Sequence, residues 1–209
     1  MREQPFIKMK DSLLIIFVKN PELGKAKTRL AKTIGEEKAL AIYKMLLEHT
    51  KDVTTDLKTA IEVHYSRFID LEDIWDNQRY QKKKQIDGDL GHKMQFAFDQ
   101  AFSAGYQKVC IIGSDCYDLQ RTYLEEAFES LEQSEFVIGP SFDGGYYLMG
   151  MRRLLPNVFR NKQWSTDSVF NDTIKDIEKA GWSYELLARL SDVDVANDLG
   201  PWADEIVKS

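Results

Sequence analysis

LLIIFVKNPELGKAKTRL, residues 13–30, is the stretch whose reading decides the fold. Its first six residues form a continuous apolar run with β-branched members, the pattern of a strand buried on both faces in a parallel sheet covered by helices. A loop carrying a glycine and several cations follows. From Gly35 onward, Ala39, Ile42, Tyr43, Leu46 and Leu47 recur at spacings of three and four, which predicts a helix to about Thr50. TAIEVHY, residues 59–65, then has the length and β-branched content of a second strand. A strand, helix, strand unit is complete.

The alternation continues along the chain. Met94, Ala97, Phe98, Ala101 and Phe102 share one helical face over residues 90–104, with Gly105 as a left-handed stop. KVCIIG reads as another buried strand, Tyr123 to Leu131 as a helix, and EFVIG and YYLMGM as two more strands. Residues 165–180 read as a helix opened by a Ser-Thr-Asp cap and closed at Gly181. YELLARL adds a strand, and a short helix begins at Pro201. Residues 69–84, rich in charge and amide groups, allow a short helix through Leu71, Ile74 and Trp75. There is no internal repeat, low-complexity tract or long linker, so the expectation is a single α/β domain over residues 1–209. It should hold a mostly parallel, Rossmann-like sheet flanked by helices.

The chain carries a formal net charge of −6, yet residues 19–35 hold four lysines and an arginine against one glutamate. Basic charge is therefore local. One basic loop on an acidic body suits a small, highly charged anion such as a phosphate ester, whereas a nucleic-acid-binding domain carries a broad basic face. Cys110 and Cys116 match neither a zinc site nor a disulfide framework, which predicts a reducing, cytoplasmic setting. The apolar run of residues 13–18 is too short to cross a bilayer, and MREQPFIKMKD lacks an apolar signal region.

In open parallel sheets, ligands bind beyond the carboxyl ends of the strands, where strand order reverses. Three unusual segments fall there: the basic loop, GSDCYD and GPSFDGG. In the first, Gly24 permits a backbone path closed to other residues, Lys25 and Lys27 offer point charges, and Arg29 offers a planar fork matched to phosphate oxygens. The alternative is a solvated turn with ordinary surface lysines. It is not a Walker loop, since Ala26 follows Lys25 and the upstream glycine is missing. Asp115 in GSDCYD follows a buried strand, where a carboxylate must be solvated, hydrogen-bonded or bound to a cation. Mg²⁺ or Mn²⁺ joining it to substrate phosphates would set it opposite the basic loop. Asp118 suits a helix cap. Asp143 sits at the tip of GPSFDGG, either a ligand loop or a plain hairpin connection. Asp192 and Asp194 in DVD would supply a second metal ligand if that segment folds back beside Asp115. Gly88 and Asp89 read as a turn capping a helix, or as a contact to the ligand. His49, His64 and His92 are scattered and read as structural.

Taken together, FVKNPELGKAKTRL, GDLGHKM, IIGSDCYDL, GPSFDGGYYLMGM, WST and DVDVANDL resemble a bacterial glycosyltransferase-like family. It is the uncharacterised selenodomain-associated transferase type of the nucleotide-diphospho-sugar transferase (GT-A) superfamily. The resemblance spans nearly the whole chain. It implies a GT-A fold, a nucleotide sugar or nucleoside triphosphate as one substrate, a small acceptor as the other, and a divalent cation at an acidic strand end. It matches Asp115 to the metal-associated aspartate, and Lys19, Lys25, Lys27, Thr28 and Arg29 to the loop that faces the nucleotide. Tyr117 stands where the family commonly has proline, and no DxD triplet follows the KVCII strand.

Three functions fit. A glycosyltransferase would stabilise a departing nucleoside diphosphate, with a carboxylate such as Asp143 as base. A nucleotidyltransferase would hold a triphosphate and release pyrophosphate, for which the Lys25 to Arg29 cluster is suited. A nucleotide-binding module would do neither. The family resemblance ranks the glycosyltransferase first.

Overall fold

The computed structural model describes residues 10–208. The segment read above for an export signal lies, through residue 9, outside the described residues. Strand β1 (Lys10–Val18) leads through helices α1 (Thr28–Ile34) and α2 (Glu36–Thr54) to β2 (Ala60–Tyr65) and the short β3 (Gln81–Lys84). Helix α3 (Leu90–Ser103), β4 (Tyr106–Ile112), α4 (Arg121–Gln133), β5 (Phe136–Pro140) and β6 (Tyr146–Met151) follow. The chain closes with α5 (Val169–Lys179), β7 (Tyr184–Leu186) and α6 (Asp204–Lys208), the last preceded by two short 3₁₀ turns.

The seven strands form one sheet in the order β3-β2-β1-β4-β6-β5-β7. All neighbours run parallel except β6, which lies antiparallel between β4 and β5. This is the mostly parallel, helix-flanked sheet that the alternation predicted, with β6 as its antiparallel member. β1 pairs with β2 on one side and β4 on the other, so chain order reverses there and a crevice opens at the carboxyl ends of β1 and β4.

The run at 13–18 is apolar throughout because both sheet faces are covered. Leu14, Ile16 and Val18 pack with Tyr43 and Leu47 of α2 and Leu124, Ala127 and Leu131 of α4. Leu13 and Ile15 pack with Met94, Ala97, Phe98 and Ala101 of α3 and Ile177 of α5. Each such side chain contributes about 1.5–3 kcal/mol by leaving water. Helix α2 carries a second apolar face, where Ala39, Ile42 and Leu46 meet Leu30, Val193 and Ala203. That contact folds the carboxyl-terminal segment back across the basic loop.

Three sequence expectations need correction. Residues 69–84 form no helix; they turn through bends into β3, a parallel edge strand whose sequence, QKKK, has no apolar member. Ion pairs replace apolar packing there, since Lys82 Nζ lies 2.7 Å from Asp73 and Lys83 Nζ 2.7 Å from Glu62. The expected Ser-Thr-Asp cap of α5 does not form either. Ser165 adopts φ 66°, the helix begins four residues later at Val169, and Ser168 makes no capping bond. Asp118 likewise caps nothing, because α4 starts after Gln120.

Candidate functional site

A cleft of about 420 Å³ opens at the carboxyl ends of β1 and β4. Phe17, Val18 and Lys19 come from the end of β1, Gly113, Ser114 and Asp115 from the end of β4, and Tyr146, Tyr147 and Met149 from the antiparallel β6. Lys93 and Met94 of α3 close one side and Lys27 the other. The wall between the basic loop and β4 is pinned by Tyr43, a side chain that helical periodicity assigns to the core. Its hydroxyl accepts from the Lys19 amide at 2.8 Å and contacts the Lys19 carbonyl at 3.0 Å and Ser114 Oγ at 3.2 Å. Desolvation raises its pKa, so it stays protonated and keeps those bonds.

The basic loop and the acids meet directly. Lys27, left-handed at φ 48° and only 7% exposed at its side chain, lies with Nζ 2.9 Å from Asp115 Oδ2 and 3.3 Å from Asp194 Oδ1. Burial by itself would lower the pKa of this ammonium; the carboxylates of Asp115 and Asp194 outweigh it and hold the value above that of a free lysine. Arg29, largely exposed, donates to the other oxygen of Asp194 at 3.1 Å. Gly113 makes room for this arrangement, because a β-carbon there would come within 2.8 Å of Asp115 Oδ1.

Asp192 stands behind the pair. Its Oδ1 is buried without a hydrogen-bond partner. Burial, aided by the negative charges of Asp115 and Asp143, pushes its carboxyl up to about 8. The segment that delivers Asp192 and Asp194 is fixed through Val193, whose amide donates to the Asp115 carbonyl at 2.9 Å. Asp198 accepts from the amides of Asp194 and Val195 at 2.7 and 2.8 Å.

A second cleft, about 250 Å³, adjoins the first and shares Ser165 and Asp194 with it. Asp143, Asp167, Asp192 and Asp198 line it beside Arg29, and Phe142 forms an exposed lip. Asp143 is held at the loop tip by Ser141 Oγ and by the Gly145 amide, the latter at 2.9 Å.

The structure thus gathers Lys19, Lys27, Asp115 and Asp194 around the first cleft and Arg29, Asp143 and Asp194 around the second. It does not bring in the other candidates. Lys25 pairs with Glu22 on the surface, Gly24 sits in a left-handed turn beside Glu36, and Thr28 is the exposed first residue of α1. Asp89 caps α3 by accepting from the His92 amide at 2.8 Å, and Leu90 and Lys93, beyond it, face the cleft in place of Gly88 and Asp89. Sequence reasoning did not single out Tyr43, Ser114, Gln85 and Lys93; Ser114 and Lys93 lie within the quoted GSDCYD and GDLGHKM stretches, and Tyr43 lies on a helix face read as core.

Among the described residues, no group of three or more His, Cys, Asp or Glu side chains is arranged to hold a metal ion unaided. The donor set nevertheless fits a hard divalent cation that takes its other ligands from a diphosphate and water. Asp115 and Asp194 offer oxygens on either side of Lys27, and the Asp192 Oδ1 lacks any partner. No described helix is long and apolar enough to cross a membrane.

Residues 46–166 match a family described as uncharacterized protein conserved in bacteria, DUF2064. A solved protein of Desulfovibrio desulfuricans G20, named "putative nucleotide-diphospho-sugar transferase", superposes with a TM-score of 0.81 at 30% identity, covering 90% of this chain and 84% of its own. A 4-diphosphocytidyl-2C-methyl-D-erythritol synthase of Anaerococcus prevotii DSM 20548 superposes at 0.58 with 11% identity, covering 99% of this chain and 100% of its own. The inositol-1-phosphate CTP transferase of T. maritima does so at 0.53 with 13% identity, covering 96% and 95%. These last two share the fold alone. None of the curated proteins matches the sequence.

Proposed function

This chain belongs to the bacterial DUF2064 family and has the nucleotide-diphospho-sugar transferase fold, and on that premise we propose that it transfers a sugar from a nucleoside-diphosphate donor to a hydroxyl acceptor. The 30%-identical relative named for that chemistry supports a transferase that uses nucleotides. The observation that carries the finer reading is the pair of adjoining clefts that share Asp194, with Lys27 and Asp115 beside it in the first.

The first cleft takes the donor. Phe17, Met94 and Tyr146 offer apolar surface to the nucleoside, while Lys27 faces the diphosphate and Arg29 reaches toward it from the second cleft beside the shared Asp194. As the glycosidic bond breaks, negative charge grows on that diphosphate, and Lys27 and Arg29, engaged with it from the moment the donor binds, stabilise that charge. A divalent cation held by Asp115 and Asp194 would neutralise the same leaving group.

The second cleft takes the acceptor, and its charge separates the two transfer reactions. A nucleotidyltransferase that uses a phosphate acceptor would bring an anion against Asp143, Asp167 and Asp198, with only Arg29, already engaged by Asp194, to offset them. A neutral hydroxyl meets no such repulsion. Asp143, oriented by Ser141 and Gly145, takes the proton from that hydroxyl as it attacks the anomeric carbon.

The test is product analysis with Mn²⁺ and panels of nucleotide sugars and nucleoside triphosphates. Release of nucleoside diphosphate supports sugar transfer. Release of pyrophosphate instead would replace it with nucleotidyl transfer, and binding without either product would leave only a binding module.

A further inference from the structure

The ammonium of Lys27 occupies the gap between Asp115 and Asp194, and we propose that it is an internal counter-ion that bars a divalent cation from those two carboxylates until the diphosphate of the nucleotide draws Lys27 away. The inference rests on the transferase reading of the same site.

Three observations carry it. Lys27 Nζ is within hydrogen-bonding reach of both carboxylates, at 2.9 and 3.3 Å, so a cation and this ammonium cannot share the space between them. The side chain is 7% exposed, so Lys27 pushed out of the gap without a new anion would be a buried, unpaired charge. Finally, the backbone at Lys27 is left-handed, φ 48° and ψ 45°, a conformation disfavoured for lysine that aims the side chain inward from the cap of α1. Arg29 does not take over, since its exposed side chain reaches only the outer oxygen of Asp194.

The charge balance sets the order of events. The carboxylates of Asp115 and Asp194 face Lys27 and Arg29 in the free protein. A divalent ion arriving alone meets a resident cation that has nowhere to go. A metal–diphosphate complex brings the anion that Lys27 needs, so the two ligands reinforce each other's binding. Lys27 is then a positioning residue twice over, for the carboxylates before loading and for the phosphates after it.

The test is Mn²⁺ titration without nucleotide, followed by the paramagnetic resonance signal of free Mn²⁺, on the wild type, Lys27→Met and Lys27→Gly. Glycine is at ease at φ 48°, so the second variant guards against misfolding. Both variants are expected to bind Mn²⁺ at least fivefold more tightly than the wild type, although they bind uridine diphosphate less well. A smaller gain, or no binding by any of the three proteins, overturns the proposal. Failure of the transferase reading shows elsewhere, as no nucleoside diphosphate released by the wild type from any nucleotide sugar, whatever the Mn²⁺ titration gives.

Discussion

The ring of Tyr117 stacks on that of Trp202 with centroids 4.1 Å apart and planes 15° from parallel, and His49 stacks on Tyr117 at 4.7 Å. This stack joins the loop that carries Asp115 to the carboxyl-terminal segment that carries Asp192 and Asp194. Trp202→Ala should lower stability by about 2–4 kcal/mol, combining lost packing with a lost aromatic pair, and Trp202→Phe should cost less than half of that. Urea unfolding of the three proteins checks it; equal midpoints would mean that the segment is held without the stack.

Arg29→Ala removes an exposed guanidinium that reaches Asp194 from the surface. It should weaken uridine diphosphate binding by about 1–3 kcal/mol, the scale of a charge-assisted contact, with little change in unfolding midpoint. Calorimetric titration returning an unchanged affinity would remove Arg29 from the site.

Asp115→Asn should abolish the gain in uridine diphosphate affinity on adding Mn²⁺ while the chain still folds, since Lys27 keeps Asp194 as a partner. The comparison is binding with Mn²⁺ against binding with a chelator. Persistence of the Mn²⁺ effect in the variant would refute the assignment.

Asp192 has a sign that can be worked out. Its folded-state pKa is raised, to about 8, against about 3.9 for a free aspartate. The native state therefore holds a proton that the unfolded chain releases, and stability present below about pH 4 is lost as pH rises toward 8. Asp192→Asn has no such proton to hold. In chelator, the variant should gain on the wild type across that window by an amount on the order of 1–3 kcal/mol at pH 8. Parallel stability curves from pH 5 to pH 8 would contradict the burial argument.

Gly35 and Gly144 share nearly the same φ, 88° and 89°, in different surroundings. A β-carbon at Gly35 meets nothing within 4 Å, whereas at Gly144 it lies 2.3 Å from the Asp167 carbonyl oxygen. Gly35→Ala should cost about 1–3 kcal/mol, the strain alone, since at ψ 158° its backbone lies in a region essentially reserved for glycine. Gly144→Ala should cost roughly 2 kcal/mol more, because backbone has to move. Thermal melts of both variants decide it.

Where one rule dominated, the residues were legible. LLIIFV could only be a strand covered on both faces, and the helices after it showed their period because each packs one face on the sheet. β3 hid because its lysines are satisfied by Asp73 and Glu62, partners that no local pattern points to. Asp89 was legible as a cap, since capping is a relation between near neighbours. Tyr43 hid among apolar neighbours on α2, its hydroxyl serving Lys19 and Ser114 from what reads as a core position.

By itself the sequence determined the layered α/β architecture and the strand ends at which chemistry had to be sought, because hydrophobic period and chain order are local properties. Only the tertiary structure decided that Lys27 lies between Asp115 and Asp194, 88 and 167 residues away along the chain. Charges so distant in sequence meet through the second apolar face of α2, which draws the carboxyl-terminal segment over the basic loop. Their energy depends on separation and burial in space, and the order of residues specifies neither.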